Sequence, residues 1–208
     1  MPEPRRRYEL KERARRQEET RQRIVDATVG LHREVGPAKT TVTEVARRAG
    51  VSRLTVYKHF PSETDLFGAC AAQFGAESPP PDPATWAAIG DPDERLRTAL
   101  GEQYAWFRAN ESMLAHVMRD AALLPELAEV LGSEEELRYE QALRDALLAG
   151  RGLRGARRRR VAAAIGLALA FSSWQHLVRV EEVDDDPAIV DLMAGAVAAA
   201  SAPARAAR

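Results

Sequence analysis

The sequence predicts an all-α chain, and three observations predict it. Alanine is abundant while aromatics make up only 6% of the 208 residues, a balance that favours helices over sheets. Apolar residues recur at the i, i+3, i+4 spacing of a helical face along most of the chain. No run shows the strict alternation of a half-buried strand, and no internal repeat is present.

Each element can be justified in order. Residues 1–17 are charged and lack apolar periodicity, so they read as a flexible basic arm or a frayed helix start. Ile24, Ala27, Thr28, Leu31 and Val35 then share one helical face, which Gly36-Pro37 ends. Thr41 and Glu44 form a capping-box pattern before a second helix, which Gly50 stops after about two turns. Ser52 is a good N-cap for a third helix over 53–60. Pro61 breaks it, and Ser62 with Asp65 opens a fourth along Leu66, Phe67, Cys70 and Phe74. The Pro-rich stretch 78–83 reads as a linker. Beyond it, helices are predicted over 93–110, 111–119, 125–149, 156–179 and 187–200, about nine in all. Gly132-Ser133 is a candidate break, and Asp186-Pro187 reads as an N-cap followed by proline at the first helical position.

Composition bounds the classes. Hydrophobic content of 45% and charged content of 29% are ordinary for a soluble globular chain. The lone Cys70 excludes an intramolecular disulfide and any cysteine-based metal cluster, and points to a reducing cytoplasm. No apolar leader follows the basic N-terminus. The net charge of −1 conceals a division: residues 1–60 carry 15 Lys and Arg against 8 Asp and Glu, and the remainder 15 against 23. A net of +7 followed by −8 indicates that the first segment meets a polyanion, although a solvated basic tail would also create much of the imbalance.

The second and third helices, joined by a tight glycine turn, read "TVTEVARRAGVSRLTVYKHF", a helix-turn-helix. Ala46 lets the two helices approach, Gly50 supplies the left-handed turn residue, and Val45, Val51 and Val56 knit them together. On a wheel of the third helix, Val56 and Phe60 face the core and Leu54 and Lys58 point away from it. Thr55 and Tyr57 flank the outward face, with Arg53 at the helix start. An outward leucine among lysine, threonine and tyrosine suits a major groove: leucine against thymine methyls, threonine to a base or phosphate, arginine to guanine. Tyr57 and His59 can also be read, less readily, as packing residues with polar tips.

Residues 20–70 resemble the DNA-binding domain of the tetracycline-repressor (TetR) family. The likeness runs through Thr20-Arg21, "RIVDAT", "TTVTEVARRAGVS" and "TVYKHF", and ends in Ser62, Asp65 and Leu66. It implies a helix-turn-helix DNA-binding domain over 18–66 and a larger helical ligand-binding and dimerisation domain over 67–208. It also implies a homodimer on a palindromic double-stranded operator, usually a repressor, in the bacterial cytoplasm at the nucleoid. By that likeness Thr40 and Thr41 hold phosphate at the start of the second helix, and Ser52, Tyr57 and His59 do so around the third. Arg53, Leu54, Thr55 and Lys58 read or border the bases. Two positions depart from the family pattern: many members have glycine in place of Leu54, and many have a phosphate-reaching lysine where this chain has Glu63.

The acidic remainder carries weaker signals. Residues 161–178 hold no formal charge, yet their alanine, serine, glutamine and histidine make them weakly hydrophobic, so no membrane span is expected. Ala162, Gly166 and Ala170 form a small-residue ridge, and Ile189, Leu192, Met193 and Ala196 share one side of the last helix. The resemblance makes the helices near 156–179 and 187–200 the dimer interface. It also makes Tyr104, Trp106, Phe107, His116 and Trp174 the candidates to line a cavity for a small, mostly apolar ligand. No cofactor or metal is called for. The four histidines are scattered, with no H-E-x-x-H pair, nucleophile elbow or phosphate-binding glycine loop, so an enzyme is not expected. The alternative reading is a DNA-binding protein of the same fold without an inducer, acting as an activator or nucleoid-associated factor.

Overall fold

The computed structural model describes residues 4–202, with side chains described from Tyr8 onward. Among the described residues the chain forms ten α-helices: α1 Pro4–Glu34, α2 Val42–Ala49, α3 Arg53–His59, α4 Glu63–Glu77, α5 Pro92–Ala121, α6 Pro125–Leu131, α7 Glu134–Leu148, α8 Gly155–Leu169, α9 Phe171–Arg179 and α10 Asp186–Ser201. Two short 3-10 turns, Pro37–Lys39 and Pro83–Ala88, complete it, and no strand is present among the described residues. The all-α class holds.

Two compact units divide these helices. The first comprises the residues up to Pro79 together with Ser112–Ser133, and the second Pro80–Glu111 together with the residues from Glu134 onward. Helix α5 therefore belongs to the second unit over 92–111 and to the first over 112–121.

In the first unit Ile24, Val25 and Leu31 of α1 meet Val45 and Ala46 of α2, Val56 of α3 and Met113 of α5 in one apolar core. Phe60 closes this core just beyond α3, and the Arg21 guanidinium sits 4.8 Å over its ring. Cys70 is buried here, which pushes its thiol up to about 12 and keeps it protonated and inert. The stretch expected to be a basic arm is helical from Pro4. Arg15 pairs with Glu12 and Glu19, and Arg16 with Glu12, at helical spacings that support an exposed helix.

In the second unit α8 packs against α10; the buried residues are Val161, Ile165 and Ala168 on α8 and Ile189, Val190, Ala194 and Val197 on α10. Buried Arg95 donates to the carbonyls of Ala146 and Ala149, both at 3.0 Å, and so caps the end of α7. Trp86 is buried and its indole N–H reaches Glu102 Oε2 at 2.7 Å.

Several element boundaries differ from the expected ones, for local reasons. No break occurs at 110–111: the Asn110 side chain bonds back to the Trp106 carbonyl at 2.8 Å instead of capping a new helix, so α5 is continuous. The Gly132-Ser133 break is real and separates α6 from α7. The helix expected over 156–179 is two, bent by 59° where Ala170 adopts an extended backbone. That break frees the Ala168 carbonyl, and the Tyr104 hydroxyl donates to it at 2.8 Å. The last helix starts one residue earlier than expected: Asp185 stands at the N-cap position without a side-chain cap, and the Asp186 carboxylate is engaged by Arg108 and Trp174. No single helix among the described residues is long and apolar enough to cross a membrane.

Candidate nucleic-acid interface

The reading pair α2–α3 is built by its caps. Thr41 is the N-cap of α2 and its hydroxyl accepts the Glu44 N–H at 3.2 Å. The other half of the expected box does not form, since Glu44 turns to Arg47 at 2.6 Å. Gly50 ends α2 at φ 67°, ψ 38°, a conformation that favours glycine, and the Val51 N–H returns to the Ala46 carbonyl at 3.0 Å. Ser52 then caps α3, accepting the Thr55 N–H at 3.1 Å and sharing a 2.8 Å bond with the Thr55 hydroxyl. Only three residues separate the helices, so their angle is set by backbone geometry. At α4 the full reciprocal box between Ser62 and Asp65 is present.

This geometry sorts α3 by face. Val56 is 2% exposed, whereas Leu54 is 78% and Tyr57 47% exposed. Arg53 and Lys58 are exposed beside them, and Thr55 and His59 are half-buried at the margin. The nine residues expected at DNA thus fall along the start of α2 and the outer side of α3, in one short stretch of chain. Their hydrogen bonds differ in what they leave free. The Thr40 hydroxyl donates to the Gly36 carbonyl at 2.8 Å, so its proton is engaged. The Thr41 hydroxyl only accepts, which leaves its proton for a phosphate oxygen.

Charge pairing leaves the same face open. Around it, Arg47 is held by Glu44, Arg48 by Glu34 through two bonds of 2.6 and 2.7 Å, and Arg33 by Glu77 at 2.8 Å. Among the described residues Arg53 and Lys58 have no acidic partner. Uncompensated cations on an exposed face are what a polyanion recruits.

A cleft of about 560 Å³ continues this face toward α1. Thr55, Lys58 and His59 form one side, and Tyr8, Glu12, Arg13, Arg16 and Thr20 are among the α1 residues on the other. Tyr8 carried no signal in the sequence, because it lies in a stretch without apolar periodicity.

The expected ligand-lining residues fall into two places. Tyr104, Trp106, Phe107 and Trp174 are gathered in the second unit around Phe107, whose ring lies 6.2, 5.8 and 5.8 Å from those of Tyr104, Trp106 and Trp174. Phe171, which sequence reasoning left out of the set, stands edge-on to Phe107 at 5.3 Å. Tyr104 and Trp174 are fully buried, and burial pushes the Tyr104 phenol well above its ordinary range. His116 is not among them. It belongs to the first unit, where its Nδ1 lies 3.1 Å from the His32 carbonyl.

The family model for bacterial regulatory proteins of the tetR family matches residues 24–70, the stretch that holds the caps, the glycine turn and α3. Over these residues the helix-turn-helix is of the TetR type. The HTH-type transcriptional regulator AcrR of Shigella flexneri is 42% identical over 50 residues, 24% of this chain and 23% of that protein. The regulator SrpR of Pseudomonas putida is 42% identical over 55 residues, 26% of each chain. The match thus spans about a quarter of the length of these curated relatives. A tetR-family transcriptional regulator of Streptomyces coelicolor, 20% identical, superposes with a TM-score of 0.57 over 88% of this chain and 82% of its own. That likeness is one of fold.

Within the first unit, Leu54 is the most exposed of the large apolar residues. Glu63 lies exposed in the first turn of α4, where a carboxylate complements the helix dipole. Among the described residues no cluster of three histidine, cysteine or carboxylate side chains is arranged to hold a metal.

Proposed function

We propose that this chain is a TetR-type DNA-binding transcriptional regulator that docks α3 in the major groove of a palindromic operator. The observation that carries the reading is the face of α3: two unpaired cations, an exposed tyrosine and an exposed leucine on a helix fixed by caps at its start. Arg53, Leu54, Thr55 and Lys58 meet or border base edges, with leucine suited to thymine methyls and arginine to guanine. Thr40, Thr41, Ser52, Tyr57 and His59 fix the register on phosphates. Thr41 donates its hydroxyl proton, and Thr40 acts by holding the turn that precedes it.

The regulator works as a homodimer through α8 and α10. Leu167 of α8 and Leu192 of α10 are 64% and 54% exposed, with exposed alanines and Gly195 around them, a surface that suits an isologous contact. The ridge of Ala162, Gly166 and Ala170 is not needed at the centre of this contact. A Cβ on Gly166 would stand 3.7 Å from the Arg144 guanidinium of α7, so the interface centres on Leu167 and Leu192 instead.

A small, mostly apolar effector acting on the aromatic group around Phe107 releases the operator, making the chain a repressor. One turn earlier on α5, the Gln103 side-chain oxygen is buried without a hydrogen-bond partner. It supports an effector that carries one hydrogen-bond donor on an apolar body. Selecting bound fragments from genomic DNA tests the core of this reading. Enrichment of a two-fold symmetric site supports it, and retention of DNA with no enriched sequence contradicts it.

A further inference from the structure

The end of α1 is capped by side chains from another helix. Four groups on one side of α5 reach the α1–α2 connection: Ser112 donates to the Arg33 carbonyl at 2.9 Å, and His116 Nδ1 lies 3.1 Å from the His32 carbonyl. Arg119 donates to the Val35 carbonyl at 3.4 Å, and Asp120 Oδ2 accepts the Ala38 N–H at 2.9 Å. The last carbonyls of a helix lack intrahelical partners, and Ser112 and Arg119 serve those of Arg33 and Val35, while Asp120 holds an N–H of the connection itself.

Asp120 is the fixed point of this arrangement. It is 1% exposed, and Arg119 grips both of its oxygens, at 2.7 and 3.0 Å. That guanidinium, with the Ala38 N–H, holds the carboxyl below its ordinary range despite burial. Gly36 shows how close the fit is. Its φ is 91°, and a Cβ there would stand 2.4 Å from Arg119 Nη2 and 2.6 Å from Asp120 Oδ2. The residue must be glycine both for its backbone and for the room it leaves the ion pair.

From Ala38 the connection runs directly to the phosphate end of α2. The Thr40 hydroxyl holds the Gly36 carbonyl, the Thr40 N–H holds that of Pro37, and Thr41 follows as the N-cap. We infer that Asp120, fixed by Arg119, is a positioning residue for operator binding, setting where Thr41 and the start of α2 present their donors to phosphate. This inference rests on the DNA-binding reading above and goes beyond it, because Asp120 lies outside the helix-turn-helix and touches no DNA.

A double-mutant cycle tests it. Operator affinity and its dependence on salt are measured for the full-length protein and for D120A, D120N, T41V and T41V/D120A, with helical content and dimerisation as controls. D120A is expected to lose about ten-fold in affinity with the slope of log affinity against log salt unchanged, because the contact it positions is made by neutral donors. T41V is expected to cost about as much in wild type and almost nothing further in D120A, since the two act through one contact. D120N keeps an acceptor for the Ala38 N–H and is expected to stay within about three-fold of wild type. Additive losses for T41V and D120A, or a shallower salt slope that reports a lost cation contact instead, overturn the inference. Should D120A not fold, R119M, which frees the carboxylate from its clamp, takes its place in the cycle. A wild-type protein that binds no selected operator is a separate outcome: it removes the DNA-binding reading, and the inference falls with it.

Discussion

The outward surfaces of α3 and α10 make a useful comparison. Both helices bury one side against their own unit, Val56 in the first case and Ile189 and Val197 in the second. Both leave a leucine in the open, Leu54 and Leu192. Around Leu54 stand arginine, lysine, tyrosine and threonine, whereas around Leu192 stand alanines and a glycine. An exposed apolar side chain among unpaired cations fits a groove that is charged at its walls and methylated on its floor. The same side chain among small residues fits another helix at close range. Neighbours, and not exposure alone, assign a surface to its partner.

Changing one surface and not the other breaks or sharpens that contrast. The largest effect concerns the unit that carries α3 and is thermodynamic. Burial lowers the pKa of His32 from 6.5 to about 4, with Asp120 opposing the shift, so the folded head keeps this imidazole neutral. The unfolded chain takes up that proton first as pH falls below 6.5, so this stability is full above 6.5 and lost progressively down to about 4. The loss is on the order of 3 kcal/mol. Chemical denaturation at pH 7 and pH 4.5, followed by the fluorescence of a reporter in the head, should show it. Replacing His32 with glutamine should flatten the acid limb, and an unchanged limb would remove His32 as its cause.

Next, Tyr57→Ala with Lys58→Ala should weaken operator binding by about 100-fold and leave the dimer intact. Titration of a labelled operator, with sedimentation alongside, measures both; a loss of dimer would merge the two surfaces that the account separates. Leu192→Glu should do the converse, raising the dimer dissociation constant by about 30-fold by placing charges across a symmetric apolar contact. A dimer indifferent to it would move the interface away from α10. The smallest expected effect on affinity is that of Leu54→Ala, within about three-fold, but with altered base preference.

The head was legible because its determinants are local. Thr41, Ser52 and Ser62 cap within three residues, and Gly50 turns the chain by its own backbone freedom. The wheel of seven residues then suffices to separate Val56 from Leu54. Elsewhere the decisive partners are remote in sequence. The bend at Ala170 has neither glycine nor proline to announce it, and the Tyr104 hydroxyl that serves the freed carbonyl lies 64 residues away. His116 looked like a neighbour of the aromatic group because helical periodicity cannot say which unit a turn of α5 joins. Asp120 was invisible for the same reason, since its bond to Ala38 spans 82 residues. Within α2, the composition of the box misled: Glu44 had a competing arginine three residues on.

The central claim is that α3 is two-sided, with its outer side reading DNA. Parallel selection of bound sequences from random DNA by the wild-type protein and by Leu54→Ala tests it most directly. The account predicts one two-fold symmetric site for each, differing at the same base pair in both half-sites. Identical sites from the two proteins, or no enriched site from the wild type, would contradict it.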